Sequence, residues 1–353
     1  MRDQLYSRYL TYFLVLQIII VQYISRFPDF IETYYSRGLY LPISLFFRKS
    51  IGWIPFSIGD LVYLFFILLF IRFLYIMIRD KFSDLRSYFF SIGATLSILH
   101  LLFYASWGLN YYRVPLAKKL NITSTSYTNE QLFDYSKNLI SELNTLHVNI
   151  TKDSTQKVMV PFSKKDVYKK AANGFENYSK QHPFFKYKGT SVKHSLLSTP
   201  LSYMGFAGYL NPFTGEAQVN SKVPTYSYAF TTCHEIAHQL GYAAENEANF
   251  IGYLASIHNE DIYFQYAGKI SALRYILSEV YKRDNVFYKV LLKKINHGIL
   301  KNIQESRDFW NSYENPFEPI FKKSYNTYLK ANKQKQGIKS YSYMVNLLLN
   351  YEQ

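Results

Sequence analysis

Two histidines and a glutamate in the second half of the chain have the spacing of a metal-dependent hydrolase. His234 and His238 are four residues apart, so on a helix both imidazoles project from one face and can bind one metal ion. Glu235 lies beside that face, where a carboxylate can take a proton from a water whose pKa the metal has lowered. The pattern therefore predicts hydrolysis that depends on a zinc ion.

The same HExxH pattern also fits a surface helix that happens to carry two histidines. The apolar or small neighbours Ile236, Ala237 and Leu240 favour a buried helix instead. Burying two imidazoles and a carboxylate is costly unless a ligand or partner satisfies them. Gly241, three residues after His238, predicts where the helix ends.

A catalytic zinc takes three protein ligands and keeps the fourth position for water. Glu245 and Glu247 are the nearby candidates for the third ligand. The segment from Glu245 to Asn249 after HExxH resembles the gluzincin metallopeptidases, in which a Glu on the second helix binds zinc and an Asp four residues later supports a zinc-bound His. The resemblance implies Glu245 as the third ligand and Asn249, in place of the Asp, as the supporting side chain. An alignment on Asn-Glu-Ala would instead make Glu247 the ligand.

The segment between the second histidine and the third ligand departs from both related patterns. Only six residues separate His238 from Glu245, whereas many gluzincins have a longer insertion. The metzincin pattern HExxHxxGxxH has a shorter turn, but Ala244 stands where its third histidine would be. The resemblance thus covers the chemically decisive residues and not a complete family motif.

Three apolar segments predict membrane helices at about 9–26, 58–78 and 87–107. A cleaved signal peptide is the alternative for the first, but Ser25-Arg26-Phe27 is a poor cleavage site, which favours a retained helix. Basic residues before the first span and in the link between the second and third predict that these parts face the cytoplasm. We therefore expect an integral protein of a bacterial inner membrane with its C-terminal domain outside the cytoplasm.

The chain as a whole resembles an uncharacterised bacterial membrane protein family, the domain of unknown function 3810. The resemblance lies in the succession of spans, the 27–57 loop, the segment 107–116 and the later HExxH. This resemblance implies a zincin-like membrane protein without naming an activity. We expect a membrane region at 1–114 and a zincin-like metallohydrolase domain at 115–353. The second domain should be mainly α (α+β), with a small β-sheet beside the HExxH helix.

Within the second domain, 201–220 combines glycines, aromatic residues and an Asn-Pro-Phe-Thr-Gly turn, which predicts two short strands. A strand beside an HExxH helix receives extended substrate backbone in zincins, so this segment is a candidate substrate site as well as a plain structural hairpin. Its candidate binding residues are Gly205, Phe206, Gly208 and Tyr209. Helices are predicted from a capping box at Thr128 and Gln131 and at 164–180, 246–257, 270–281, 286–299, 310–329 and 341–351, with a polar loop at 332–337.

The formal net charge of +15 is dispersed along the chain. Together with the membrane spans, this argues against nucleic acid and favours a lipid bilayer as a partner. A peptide or protein substrate near the membrane is the other expected partner, and the oligomeric state is not indicated. The single cysteine, Cys233, is interpreted as a small buried residue, and Tyr203, Tyr242 and His194 are the candidates for stabilising an oxyanion.

The function that these residues favour is that of a membrane-anchored zinc metallopeptidase with one Zn²⁺ per chain. Zinc would be held by His234, His238 and Glu245, with Glu235 as the general base. A zinc hydrolase of another envelope amide and a catalytically inactive zincin-like scaffold are the two alternatives.

Overall fold

The protein is mainly helical and carries one small sheet. The computed structural model describes residues 2–332 and 341–351, so positions 333–337 of the predicted polar loop lie outside the described residues. The helices of the first part are α1 (Arg2–Ile24), α2 (Pro28–Phe30), a π-helix (Ile31–Leu39), α3 (Tyr40–Ile51), α4 (Ile58–Arg79), α5 (Leu85–Ser106) and a 3₁₀ turn (Gly108–Tyr112). Those of the second part are α6 (Leu116–Lys119), α7 (Asn129–Thr151), α8 (Lys164–Ser179), a 3₁₀ turn (Pro183–Phe185), α9 (Ser198–Met204), α10 (Thr225–Gln239), α11 (Glu245–Ile257), α12 (Ile262–Arg283), α13 (Asn285–Lys294), α14 (His297–Asn311), α15 (Glu318–Ala331) and α16 (Tyr341–Tyr351).

Three of these helices, α1, α4 and α5, are long and apolar enough to cross a membrane. Their bounds agree with the predicted spans to within a few residues, except that α1 begins several residues earlier. α1 and α5 run parallel, because Gln17 of α1 donates to Ser97 at 2.9 Å and contacts His100 at 2.9 Å while Thr11 bonds Phe90 O at 3.1 Å. The C-terminal ends of α1 and α5 therefore lie on the same side.

The third apolar helix, α4, is fixed through its first turn. Ser57 caps it, and the buried Glu216 of the folded domain accepts from the free N–H groups of Ile58 and Gly59. A carboxylate at a helix N-terminus also interacts favourably with the helix dipole. Asp60, fully buried, accepts from Leu196 N at 2.7 Å and from the Tyr209 hydroxyl. This first turn joins α4 to the sheet, whereas the apolar window that follows is 0% buried.

The segment 27–57, expected from sequence to be a loop between the first two spans, is a helical layer. It comprises α2, the π-helix and α3. Its buried side chains Ile31, Tyr35 and Tyr40 pack against Trp107 and Ala243. The prolines and glycines of this segment are accommodated because burial of its aromatic face outweighs weak local helix propensity.

The sheet contains β1 (Val192–His194), β2 (Gly208–Leu210) and β3 (Ala217–Val219). Their order is β1-β3-β2, with β1 parallel and β2 antiparallel to β3. The predicted pair of strands in 201–220 is thus present as the β2–β3 hairpin. Because β3 lies in the middle, β2 forms one edge of the sheet.

The core of the folded part surrounds α10, which packs against α8, α11, α12 and the sheet. The capping box at Thr128 and Gln131 is present at the start of α7. The predicted helix 286–299 is two helices, α13 and α14, and the predicted helix 310–329 is interrupted between α14 and α15. Asn315 precedes Pro316 at that interruption, and a residue before proline disfavours the helical conformation.

Candidate metal centre

α10 and α11 bring two imidazoles and a carboxylate to one point. The Nε2 atoms of His234 and His238 are 3.1 Å apart. Glu245, the first residue of α11, places Oε2 3.5 Å from His234 Nε2 and Oε1 3.6 Å from His238 Nε2. Possible ligand atoms of His234, Glu235 and His238 also lie within 4.8 Å of one another.

These separations are suited to a shared metal ion. Two nitrogen ligands each about 2.0–2.1 Å from a tetrahedral Zn²⁺ are about 3.3 Å from each other. The triangle formed by His234, His238 and Glu245 has edges of 3.1, 3.5 and 3.6 Å. The three residues could therefore hold one ion and leave a fourth position open.

The His238 ring is oriented by the turn that follows α10. Its Nδ1 lies 2.7 Å from the carbonyl oxygen of Tyr242, so Nδ1–H donates and Nε2 keeps the lone pair that a metal ligand needs. Gly241 makes this turn with φ of +82°, a conformation that favours glycine. The helix end predicted at Gly241 thus positions the ligand as well as ending α10.

The His234 ring lies in a setting that keeps it neutral. Burial and the neighbouring His238 lower its pKa to about 4, while Glu245 and the amide of Asn249 act in the opposite direction. A neutral imidazole is the form that binds a metal. Asn249, on α11 and 4% exposed, lies next to the His234 ring, although His234 Nδ1 makes no hydrogen bond within the described part of the chain.

Glu235 faces the centre from the same helix and is 3% exposed. Burial, together with the negative charge of Glu245, raises the pKa of its carboxyl well above the usual value. Its Oε2 is buried and makes no hydrogen bond within the described part of the chain. Glu235 therefore presents a free carboxyl oxygen next to the two histidines.

Glu247, the alternative third ligand, points away from the two histidines. Its Oε1 accepts from Leu116 N at 2.7 Å, and the side chain is nearly buried. Burial raises the pKa of Glu247, and Arg113 and Lys119 act to lower it. The geometry brings Glu245, and not Glu247, to His234 and His238.

The C-terminal end of α10 is held by residues from the first third of the chain. Tyr40 donates to Gln239 O at 3.0 Å, Ser44 to the same oxygen at 3.2 Å, and Trp107 Nε1 to His238 O at 3.3 Å. The last carbonyls of a helix have no partner within it. The helical layer between the first two spans and the end of α5 supply these partners, next to the candidate ligand His238.

Arg113 completes this contact. Its Nη1 donates to the carbonyl oxygens of Leu240 at 3.2 Å and Gly241 at 2.9 Å. Its Nε and Nη2 bond the two carboxylate oxygens of Glu32 at 2.9 and 3.1 Å, and its guanidinium stacks 4.2 Å above the Tyr242 ring. Such a bidentate, stacked arginine fixes the position of the turn that carries Tyr242 O.

Tyr325, on α15, is a site residue that the sequence analysis did not identify. Its hydroxyl donates to Glu245 Oε1 at 2.7 Å, and its ring meets Phe206 edge-on with centroids 5.1 Å apart. The sequence offered one weak signal, a tyrosine pair at Tyr325 and Tyr328 on one helix face. About eighty residues separate Tyr325 from Glu245, so only tertiary packing could reveal the contact.

Of the four predicted substrate residues, Gly208 lies next to the candidate centre, whereas the side chain of Tyr209 is bonded elsewhere. Gly208 lies against the centre, since a Cβ built there would be 2.5 Å from Glu235 Oε1. Phe206 contacts Tyr325, and Gly205 ends α9 with φ of +79°. The Tyr209 side chain turns to the opposite side and bonds Asp60. The main chain of β2, more than its side chains, therefore faces the candidate site.

The three residues considered for an oxyanion lie elsewhere. Tyr242 is fully buried under Arg113, Tyr203 packs edge-on against Tyr313, and His194 ends β1. None of the three lines the cavity at the centre, as far as the described residues go. Cys233 is fully buried, as interpreted from sequence, and burial raises its pKa to about 12.

A cavity of about 1930 Å³ opens onto the centre. His234, Glu235, His238, Glu245 and Asn249 all line it. Its other walls are the β2 strand, α15 and the apolar faces of α4 and α5. The centre is thus accessible from a large space.

Comparison with known families gives one match, to the family described as "Protein of unknown function (DUF3810)", over residues 35–349. The chain belongs to the DUF3810 family. The matched region includes α4, α5 and the whole candidate centre. Comparisons with curated proteins and with solved structures gave no significant match. DUF3810 membership therefore groups the chain without assigning it an activity.

Proposed function

We propose that this DUF3810 protein is a membrane-anchored, zinc-dependent metallopeptidase of zincin type. The observation that carries the proposal is the triangle of His234, His238 and Glu245, whose edges suit one tetrahedral ion. The free carboxyl oxygen of Glu235 beside that triangle supports a hydrolytic role. A purely structural zinc site would have four protein ligands and no such neighbouring base.

Each residue of the centre has a role in this proposal. A bound zinc ion would supply Lewis acidity and lower the pKa of a water. Glu235 takes the proton of the attacking water, whose oxygen forms the new bond to the scissile carbonyl carbon. The same carboxyl then gives the proton to the leaving nitrogen as the C–N bond breaks. Tyr325 holds Glu245 in position through its hydrogen bond, and Asn249 lies beside His234 as the side chain that would support it.

The β2 edge supplies a place for the substrate backbone. Ala207 O and Asn211 N bond β3. In an antiparallel ladder the main-chain groups of the residues between them alternate in direction, so those of Gly208 and Leu210 face away from β3. An extended peptide added at this edge would lie beside Glu235.

Placement of the folded domain outside the cytoplasm is part of the proposal. Arg79, Lys81 and Arg86 lie in or beside the link between α4 and α5, and short basic loops remain on the cytoplasmic side. The link is at the opposite end of α4 from the turn that joins the sheet. The candidate centre would then face the outer surface of the membrane.

The proposal is tested with the full-length protein in detergent or lipid nanodiscs. Wild type should bind about one equivalent of zinc and cleave members of a quenched-fluorescent peptide library. Glu235→Gln should keep the zinc and lose turnover by about a hundredfold or more, the size of a general-base effect. Glu260→Gln, at an exposed glutamate in the turn between α11 and α12, is the control and should behave as wild type.

Three results would be decisive against this function. Absence of zinc from wild type would remove the metal site. Equal turnover in wild type and Glu235→Gln would remove the general base. Zinc binding without cleavage of any peptide would indicate the inactive scaffold or a hydrolase of another amide.

A further inference from the structure

The cavity at the candidate centre continues between two of the apolar helices. We call this part the α4–α5 groove and define it by Phe66, Phe70 and Leu74 of α4 and Leu99 and Leu102 of α5, which line the same cavity as His234 and Glu235. All five groove side chains are apolar. A single space therefore connects the metal centre with the part of the molecule suited to the membrane interior.

The groove exists because α4 and α5 meet at one end and are held apart at the other. Near the link, Phe73 and Tyr88 are in edge-on contact with ring centroids 6.0 Å apart. At the end nearest the centre, Tyr63 stacks on Tyr209 of β2 at 5.8 Å. Between these points few residues of α4 contact α5. The groove narrows towards the link, where Met77 is the last residue of α4 that lines it, and opens towards the centre.

The depth of the groove indicates which occupant fits. Fourteen residues of helix separate Tyr63 from Met77, the two ends of the α4 lining, which at 1.5 Å per residue is roughly 21 Å. The hydrocarbon core of a bilayer is about 30 Å thick, so the groove ends short of its far side. A spanning helix needs about 20 residues and, lodged between α4 and α5, would meet the link that joins them at 80–84. An acyl chain ends inside the bilayer and does not have to pass the link.

A peptide site lies at the open end of the groove. The free main-chain groups of Gly208 and Leu210 lie on the cavity side of β2, and Gly208 contacts Glu235. An occupant with its apolar part in the groove could thus extend a peptide along β2 past the centre. A molecule that combines these two parts is a peptide anchored to the membrane by an acyl chain.

We propose that the substrates of this protein are acylated peptides or proteins, whose acyl chain occupies the α4–α5 groove while the adjoining backbone lies along β2. This inference rests on the proposed peptidase function and specifies its substrate class. The groove selects substrates by their anchor, and the β2 edge presents the bond to be hydrolysed.

The test compares one peptide with and without a palmitoyl group at one end. Zinc-loaded full-length protein is reconstituted in lipid nanodiscs, and kcat/KM is measured for both forms. The ratio of acylated to unacylated kcat/KM should be about tenfold or more, because burial of even two methylene groups is worth that factor. A bilayer also concentrates any acylated peptide, so the ratio by itself does not show use of the groove.

A pair of neighbouring substitutions separates these two causes. Leu102 lines the groove and Leu101 does not, yet both are 47% exposed on α5. Leu102→Trp should reduce the ratio by about tenfold, since the indole fills the space of the chain, whereas Leu101→Trp should leave the ratio at the wild-type value. An acylation effect that Leu102→Trp leaves intact would reflect concentration at the bilayer alone and would overturn the inference.

A second measurement makes the inference independent of turnover. The palmitoyl group carries a diazirine at its end, and Glu235→Gln is irradiated with the labelled peptide. Cross-links should map to the groove-lining positions around Leu74 and Thr95 and should disappear in the Leu102→Trp background. Cross-links spread evenly over the lipid-facing surface would refute the inference even if no peptide were cleaved.

The outcomes also distinguish the two proposals. Cleavage of both peptide forms at equal rates would overturn the substrate class and leave the peptidase function standing. Groove cross-links without cleavage would refute the peptidase function and leave an acyl-binding groove. A peptide fused to a transmembrane helix is a third substrate, and preferred cleavage of it with sensitivity to Leu102→Trp would overturn the acyl assignment in favour of a helix.

Discussion

Replacement of the two glutamates of α11 provides a sharp test of the candidate centre. Glu245 and Glu247 are two residues apart on one helix, yet one carboxylate faces the histidines and the other accepts from Leu116 N. Glu245→Gln removes the negative charge from the ligand triangle. Glu247→Gln keeps an oxygen that can accept the same hydrogen bond, so it serves as the matched control.

The expected loss of zinc affinity in Glu245→Gln can be estimated from the number of ligands that share the binding free energy. Structural zinc sites with four ligands bind with about 10–16 kcal/mol, or about 2.5–4 kcal/mol for each ligand. At about 1.4 kcal/mol for each factor of ten, Glu245→Gln should weaken zinc binding by two to three orders of magnitude. Glu247→Gln should change the zinc Kd by less than about threefold, because it touches neither histidine.

Competition with a chromophoric chelator, carried out on detergent-solubilised protein at fixed pH, measures both constants. Near-UV circular dichroism of the apo proteins is recorded alongside to show that each variant is folded. The reasoning would be refuted by a zinc Kd that is unchanged in Glu245→Gln, or by a loss of zinc confined to Glu247→Gln. The second result would restore the alternative alignment.

Three further predictions concern the surroundings of the centre. Gly208→Ala should lower peptide turnover by about a hundredfold with unchanged zinc content, because its Cβ would meet Glu235 Oε1 at 2.5 Å and Gln218 O of β3 at 2.7 Å and would displace both the base and the β2 backbone. Full turnover would show that neither Glu235 nor β2 acts from its present position. Arg113→Met should lower the apparent melting temperature by about 10 °C, because the buried Glu32 loses its bidentate partner. The double variant with Glu32→Gln should recover part of that loss. A shift below about 2 °C would contradict the role of Arg113 in fixing the turn after α10. Cys233, fully buried with its pKa raised by burial to about 12, should resist a maleimide at pH 8 until denaturant is added, and rapid labelling of the native protein would contradict the packing of α10.

The sequence predicted the structure best where a regular spacing of residues along the chain determines a helix or the face on which side chains lie. The apolar runs that form α4 and α5 specify their helices almost to the residue. The i, i+4 spacing of His234 and His238 places both rings on one side of α10, and their Nε2 atoms are in fact 3.1 Å apart. Local chemistry likewise specified the capping box at the start of α7 and the β2–β3 hairpin.

Features that depend on distant contacts were not predictable in the same way. The helical layer between the first two spans is stabilised by burial of Tyr35 and Tyr40, which no local propensity shows. Trp107, at the end of the third apolar segment, is of a residue type common at membrane interfaces, yet it is 7% exposed and donates to His238 O. The contact of Tyr325 with Glu245 joins two helices far apart in sequence. In each case an aromatic residue is compatible with several environments, and only the packing selects one.

The hydrogen bonds that Tyr40, Ser44 and Arg113 make to the C-terminus of α10 have a consequence for biosynthesis. The ribosome releases Tyr40, Ser44 and Arg113 long before it completes α10, so the partners of its last carbonyls are already beside the bilayer when that helix forms. A fragment that begins at 115 would lack all three and would leave those carbonyls exposed behind His238. We therefore expect the candidate centre to take its final geometry only after the chain before 115 has folded beside it.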